Sequence, residues 1–209
     1  MKTFDRKQVL AIGTHALCLL PLIIVFSSAI LTLFGAGTTL SFVASAGILT
    51  NAALLAFTAM LAMTPISIVS GWRWPQGRKR PLALYAFAYS MIHFLIFSGG
   101  FGFAPLLTLS STFSTAMLAT GSIALIGMMP LALTSNKWSM RKLKRNWKRL
   151  HYLTYPVAIF IVAHLLFLGE ALPVAVLYSL LLGIRIPSIR KAITDWRIGR
   201  RKAQRAAIA

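Results

Sequence analysis

Acidic residues are nearly absent: the 209-residue chain has 3 Asp+Glu against 22 Lys+Arg. No carboxylate lies deep in a long apolar run, so paired-carboxylate acid–base chemistry and an Asp/Glu proton relay find no residues here. Cysteine is scarcer still. Cys18 stands alone, which excludes an intrachain disulfide framework, and it reads as a small apolar side chain within the first apolar run. Without thiolates or carboxylates, hydrolytic zinc chemistry is unsupported. Charged residues of both signs make up 12% of the chain, about half the share of a soluble domain. A single aqueous globule is excluded.

Hydrophobic residues fill the space, at 57% of the chain. Six apolar runs approach the ~20 helical residues that cross ~30 Å of hydrocarbon. They fall at about 9–33, 42–70, 82–107, 113–134, 150–168 and 172–187, the last short enough to tilt or lie partly in the interface. The apolar core of the first is too long for a signal peptide. The basic residues alternate with these runs. Three precede the first (Lys2, Arg6, Lys7) and four separate the second from the third (Arg73, Arg78, Lys79, Arg80). Seven separate the fourth from the fifth: Lys137, Arg141, Lys142, Lys144, Arg145, Lys148 and Arg149. The remaining eight, from Arg185 to Arg205, lie at or after the end of the sixth. The other three loops have none, so the positive-inside rule puts both termini in the cytoplasm. All five tryptophans fall on that side too. The expected fold is an all-α membrane protein, one six-span helical bundle over residues 1–209.

Two inner segments carry apolar residues at helical spacing among cations: Met140, Leu143, Trp147 and Leu150, then Ile189, Ile193 and Trp196. Such faces suit anionic lipid headgroups, although a solvated linker and tail would account for most of the charge. Nucleic acid is not an expected partner. The segment "SGGFGFAP" (Ser98 to Pro105) reads as a turn, not as a phosphate-binding loop.

Four histidines, His15, His93, His151 and His164, all fall inside the expected spans. Ionisable side chains in a membrane are costly and point to function. Imidazoles without acidic partners suit axial ligation of a flat apolar cofactor, a haem held between helices. With no Cys-x-x-Cys-His, it would not be covalently attached. At 1.5 Å per residue, His93 lies ~18 Å and His164 ~22 Å from the inner surface, so these two are expected to share one iron. His151 lies ~20 Å inward of His164 and suits a second site or an inner edge where electrons arrive. Thirteen residues leave His151 and His164 ~140° apart on an ideal helix, and Pro156 between them would bend it.

Three stretches carry a family resemblance: "LAMTPIS" (Leu61 to Ser67), "GRKRPLALYAFAYSMIHF" (Gly77 to Phe94) and "PLALTSNKWSMRKLKRNWKRLHYLTYPVAIFIVAHLLF" (Pro130 to Phe167). They resemble the haem-binding membrane subunits of bacterial protein-methionine-sulfoxide reductase systems, within the ferric-reductase-like transmembrane superfamily. The resemblance covers most of residues 10 to 190 and is strongest from Met63 to Phe167. It implies haem b in a six-span inner-membrane bundle. It also implies electrons from quinol or a cytosolic flavin reductase, a flavin mononucleotide (FMN) site, and an outer molybdenum-cofactor enzyme as acceptor. His93, His151 and His164 match the family's histidine positions, and His15 matches a first-span histidine. Superfamily members often pair histidines thirteen or fourteen apart on both ligand helices. Here that count back from His93 meets Lys79 and Arg80, so a second haem would need another ligand, with His15 the candidate.

Haem propionates need partners, and the outer loops contain no Lys or Arg. The expectation is that they point inward to Arg78, Lys79, Arg80, Lys148 or Arg149, or bond outward to Ser98, Ser110 and Ser111. The Arg78–Arg80 cluster would equally suit a flavin phosphate or quinone oxygen, or serve only to set topology. The reading is an electron-transfer subunit instead of a catalytic one. A stand-alone transmembrane ferric or quinone reductase remains open, as does a small transporter with pore-lining histidines.

Overall fold

A computed structural model describes residues 5–34, 40, 42–99, 115–169 and 171–207. Every regular element among them is helical: α1 (Arg6–Leu33), α2 (Phe42–Ser70), α3 (Trp74–Gly99), α4 (Ala116–Leu133), α5 (Lys137–Leu143), α6 (Arg145–His151), α7 (Thr154–Phe167), α8 (Ala171–Gly183) and α9 (Pro187–Ala206). Five stretches are long and apolar enough to cross a membrane: Gln8–Leu31, Ala44–Ser70, Trp74–Phe97, Ala116–Leu133 and Arg145–Phe167. A sixth crossing requires α8 and α9 together, and these meet at 71°. At 13 residues, α8 alone spans only ~20 Å. The third span begins earlier than expected, at Trp74, because Pro75 suits a first helical turn and the basic run after it stays helical. Residues 100–107 of that span, and with them most of the Ser98–Pro105 turn, lie outside the described residues.

Helix α2 is the hub. Nearly half of its apolar window is buried (44%), against none of the window in α1. It packs along α3 and touches α1, α8 and α9, while α4 packs along α7. The core joins Phe57, Met60 and Leu61 of α2 to Ala86 of α3, Met128 of α4 and Val157 of α7. Lipid gives no hydrophobic drive between helices, so close fit between small residues must supply the cohesion. Helices α4 and α7 meet in this way: a Cβ on Gly127 would sit 2.7 Å from Val157 Cγ2.

Two prolines shape the inner half. In α2, Pro65 has no N–H for the carbonyl of Leu61, four residues back. The guanidinium of Arg185 fills that place, donating to Leu61 O at 2.6 Å. Ahead of Pro156, the chain leaves α-helical pairing: Tyr152, Leu153 and Tyr155 each donate to the carbonyl three residues back. The span expected from residue 150 falls within one stretch long enough to cross, Arg145–Phe167, with its α-helical pairing interrupted at Tyr152–Leu153. His151 ends α6, and His164 lies in α7.

The cytoplasm-side helix expected between spans four and five is also divided, at Lys144, whose φ is 46°. Asn136 caps α5 through Ser139 N at 2.7 Å. Trp147 Nε1 donates to Thr134 O at 3.0 Å and ties α6 to the end of α4. Helix α9 is amphipathic, as the spacing predicts. Ile189 and Trp196 are exposed, and Arg200 lies 5.6 Å from the Trp196 ring. On its other side, Arg197 donates to Ile68 O at 2.6 Å and Arg201 to Ser70 O at 3.2 Å. These bonds satisfy carbonyls at the end of α2, where cations are favoured. Gly71 turns there at φ 75°, and a Cβ would meet Arg197 Nη1 at 2.9 Å.

Candidate functional site

Helices α3 and α7 meet mainly across a cavity bounded by α2 and α4. His93 and His164 both line it, among Leu54, Phe57, Phe94 and Leu125. Hydrogen bonding assigns the proton on each ring. His164 Nδ1 lies 2.8 Å from the carbonyl of Met117, which can only accept, so Nδ1 carries the hydrogen. His93 Nδ1 lies 2.8 Å from Thr50 Oγ1. That hydroxyl already donates to Ala46 O at 2.9 Å, so His93 Nδ1–H must be the donor. In both rings Nε2 keeps a bare lone pair. A backbone or side-chain acceptor on Nδ1–H with Nε2 free is how proteins orient imidazole toward a metal.

One glycine makes room for this arrangement. A Cβ on Gly121 would stand 2.8 Å from His164 Nδ1 and 2.9 Å from its Cε1. The ring cannot swing aside without losing Met117 O, one helical turn earlier on α4. Gly121→Ala is therefore expected to lower the fraction of purified protein that binds haem while the helical circular-dichroism signal is kept. An unchanged haem-to-protein ratio would show that the close approach does not matter.

His151 does not line this cavity. Its Nδ1 donates to Trp147 O at 3.1 Å and its ring stacks on Trp147 at 3.9 Å, again leaving Nε2 bare. Lys79 is within electrostatic reach of it and of Arg185. Arg78 Nε and Arg185 Nε are buried without hydrogen-bond partners. This inner set has no carboxylate bonded to it among the described residues. Of the cations expected to meet an acid group, Lys79 and Arg78 are partly buried, whereas Arg80, Lys148 and Arg149 are exposed. Ser110 and Ser111 and the side chain of Ser98 lie outside the described residues. His15 is elsewhere again, exposed on α1 with Nδ1 3.0 Å from Tyr85 Oη.

Thr50, Met117, Gly121 and Arg185 play parts that no sequence signal marked. The first three act across helices, Thr50 through its hydroxyl, Met117 through its carbonyl and Gly121 through the space it leaves. Arg185 looked like one more topology-setting cation.

These features define a multi-pass helical membrane protein in which two imidazoles line one apolar cavity from helices on either side of it. Residues 45–162 match the family described as ferric reductase like transmembrane component, and the chain belongs to that family. His93 and His151 lie inside the matched segment, and His164 follows it closely.

Three relatives are each named protein-methionine-sulfoxide reductase heme-binding subunit MsrQ. The protein of Rhodospirillum rubrum is 31% identical over 195 residues, covering 90% of this chain and 92% of the relative. That of Rhizobium meliloti is 34% identical over 149 residues, covering 69% and 68%. That of Brucella anthropi is 38% identical over 98 residues, covering 46% and 43%. No solved structure matches the chain. With its apolar helices and this family, the chain is a multi-pass protein of the bacterial inner membrane.

Proposed function

We propose that this chain is the haem-binding, electron-carrying membrane subunit of a protein-methionine-sulfoxide reductase system. The observation that carries the reading is the pair His93 and His164, turned into one apolar cavity with each Nε2 free and each Nδ1–H held by a fixed acceptor. The relatives' names support haem and the reductase system. The donor set fits a b-type haem: two neutral nitrogens, no thiolate, and a cavity wall of aliphatic and aromatic side chains. Bound iron, alternating between ferric and ferrous, would supply the one-electron chemistry.

The chain's own part is to bind, orient and insulate. Thr50 and Met117 fix the ring planes of His93 and His164 and raise their basicity. Phe57 and Phe94 keep water from the cavity. Lys79 and Arg78, with Arg185 behind them, would hold an acid group on the cytoplasmic side, either a haem propionate or the phosphate of FMN. His151, stacked on Trp147 beside them, marks the inner edge where electrons enter or a second haem binds. The donor in this reading is quinol or a cytosolic flavin reductase, and the acceptor a periplasmic molybdenum-cofactor reductase of methionine sulfoxide. In this reading both termini lie in the cytoplasm, the side that the basic residues favour. Lipid headgroups would take up the exposed face of α9.

The visible spectrum of protein purified after haem-supplemented expression tests this. A Soret band that sharpens on dithionite reduction, with resolved α and β bands, is the expected result. A colourless protein would overturn it. Deleting the periplasmic partner should abolish methionine-sulfoxide repair with the spectrum unchanged. Persisting repair would favour a self-sufficient reductase.

A further inference from the structure

The lipid-facing flank of α1 carries the one histidine that neither the cavity nor the inner cluster uses. His15 lies ~12 Å from the inner surface, counted along the helix from Lys7. It begins a stripe with Cys18, Leu22 and Val25, the last three packed toward the core and α3. The hydroxyl of Tyr89 donates to the carbonyl of Cys18 and pins α1 to α3 just outward of His15. Inward of that contact, the His15 ring meets Tyr85 edge-on, with centroids 5.7 Å apart, and stays exposed. An exposed imidazole in hydrocarbon is costly and calls for a partner arriving through the lipid.

Its hydrogen bonding differs from that of the other three histidines. Their Nδ1–H groups are committed to acceptors. His15 Nδ1 faces a hydroxyl that makes no second hydrogen bond among the described residues, and a hydroxyl can donate or accept. When Nδ1–H donates to Tyr85, Nε2 accepts. When Tyr85 donates to Nδ1, Nε2–H donates. A ligand suited to both states is a phenol O–H that becomes a carbonyl, on a molecule that travels in lipid. Haem fits this place poorly, because neither Cys18 nor Tyr85 gives a propionate a cation.

We propose that His15 and Tyr85 form the docking site of a lipid-soluble hydroquinone. The proposal rests on the electron-carrying reading above. A hydroquinone gives up two phenolic protons and two electrons and leaves as the quinone. His15 Nε2 accepts the protons one at a time and passes them to the inner water. The two electrons would leave singly, and a haem held by His93 and His164 would supply the one-electron acceptor, turning over twice per hydroquinone.

The test uses haem-loaded protein in nanodiscs of phosphatidylethanolamine and phosphatidylglycerol, with decylubiquinol as donor. His15→Leu should slow decylubiquinol-driven haem reduction about a hundred-fold, in line with loss of a positioned proton acceptor. Haem content and the dithionite-reduced spectrum should match wild type, and Tyr85→Phe should show a smaller loss. An azido-ubiquinone photolabel should mark peptides containing His15 or Tyr85 and be displaced by decylubiquinone. An unchanged reduction rate, label confined to peptides holding Arg78–Arg80 or His151, or loss of haem in His15→Leu would each overturn the site. If wild-type protein holds no haem, the electron-carrying reading fails instead, and the photolabel alone decides the docking site.

Discussion

His93→Ala and His164→Ala should each lose the paired α and β bands and most of the bound haem, measured by pyridine haemochrome against protein mass. In the reading proposed above both rings hold one haem, so either loss should cost about as much as both. Removing either imidazole also leaves its acceptor, Thr50 Oγ1 or Met117 O, without its ring donor. His151→Ala should leave this spectrum in place, since His151 is held by Trp147 away from the cavity. A wild-type spectrum in either cavity variant would show that the rings do not share a metal. Loss of the whole spectrum in His151→Ala would shift the site inward. Either result ends the assignment.

The parts of this arrangement legible in the sequence are those set by the solvent. Hydrocarbon demands about twenty apolar residues per crossing and satisfied backbone groups, so α1, α2 and α4 are visible as runs of letters. The bounds of α2 emerge as read, Phe42 to Ser70. The rise of 1.5 Å per residue is as general, which is why counting inward from the charges brings His93 and His164 to one level. That placement needs no knowledge of packing.

What counting misses is contact between distant segments. The Leu61 carbonyl and the Arg185 guanidinium are 124 residues apart in sequence, and no periodicity links them. Residue letters do not show that Gly121 stands against an imidazole, since a glycine in an apolar helix fits lipid equally well. Pro156 was legible as a disturbance of the helix, and the α-helical pairing lapses just ahead of it, at Tyr152–Leu153, because a proline removes the donor owed to the carbonyl four residues before it. The ~140° separation of His151 and His164 on an ideal helix therefore does not describe this chain. His15 shows the same limit: its residue type announced function, but only the position of Tyr85 distinguishes it from its three counterparts.

Arg185→Ala should lower the thermal midpoint of the detergent-solubilised protein by several degrees. Leu61 is fully buried, 0% exposed, and its carbonyl has no helical donor because Pro65 lacks an N–H. Removing the guanidinium leaves that oxygen unpaired, at about 1–3 kcal/mol. For a chain of this size, each kcal/mol moves the midpoint by about 2–4 °C. Relief of repulsion with Lys79 works the other way and makes the lower half of that range the expectation. Arg185→Lys should recover little, because an ammonium does not reproduce the planar guanidinium that reaches the Leu61 carbonyl. The decisive variant is the double one. Pro65→Ala restores a backbone N–H four residues after Leu61, so in the Arg185→Ala background it should recover much of the lost stability, while alone it should change little. Pro65→Ala and Arg185→Ala effects that simply add would show that the arginine is not replacing the missing helical donor, and its burial beside Lys79 would then have to be explained by an anionic ligand alone.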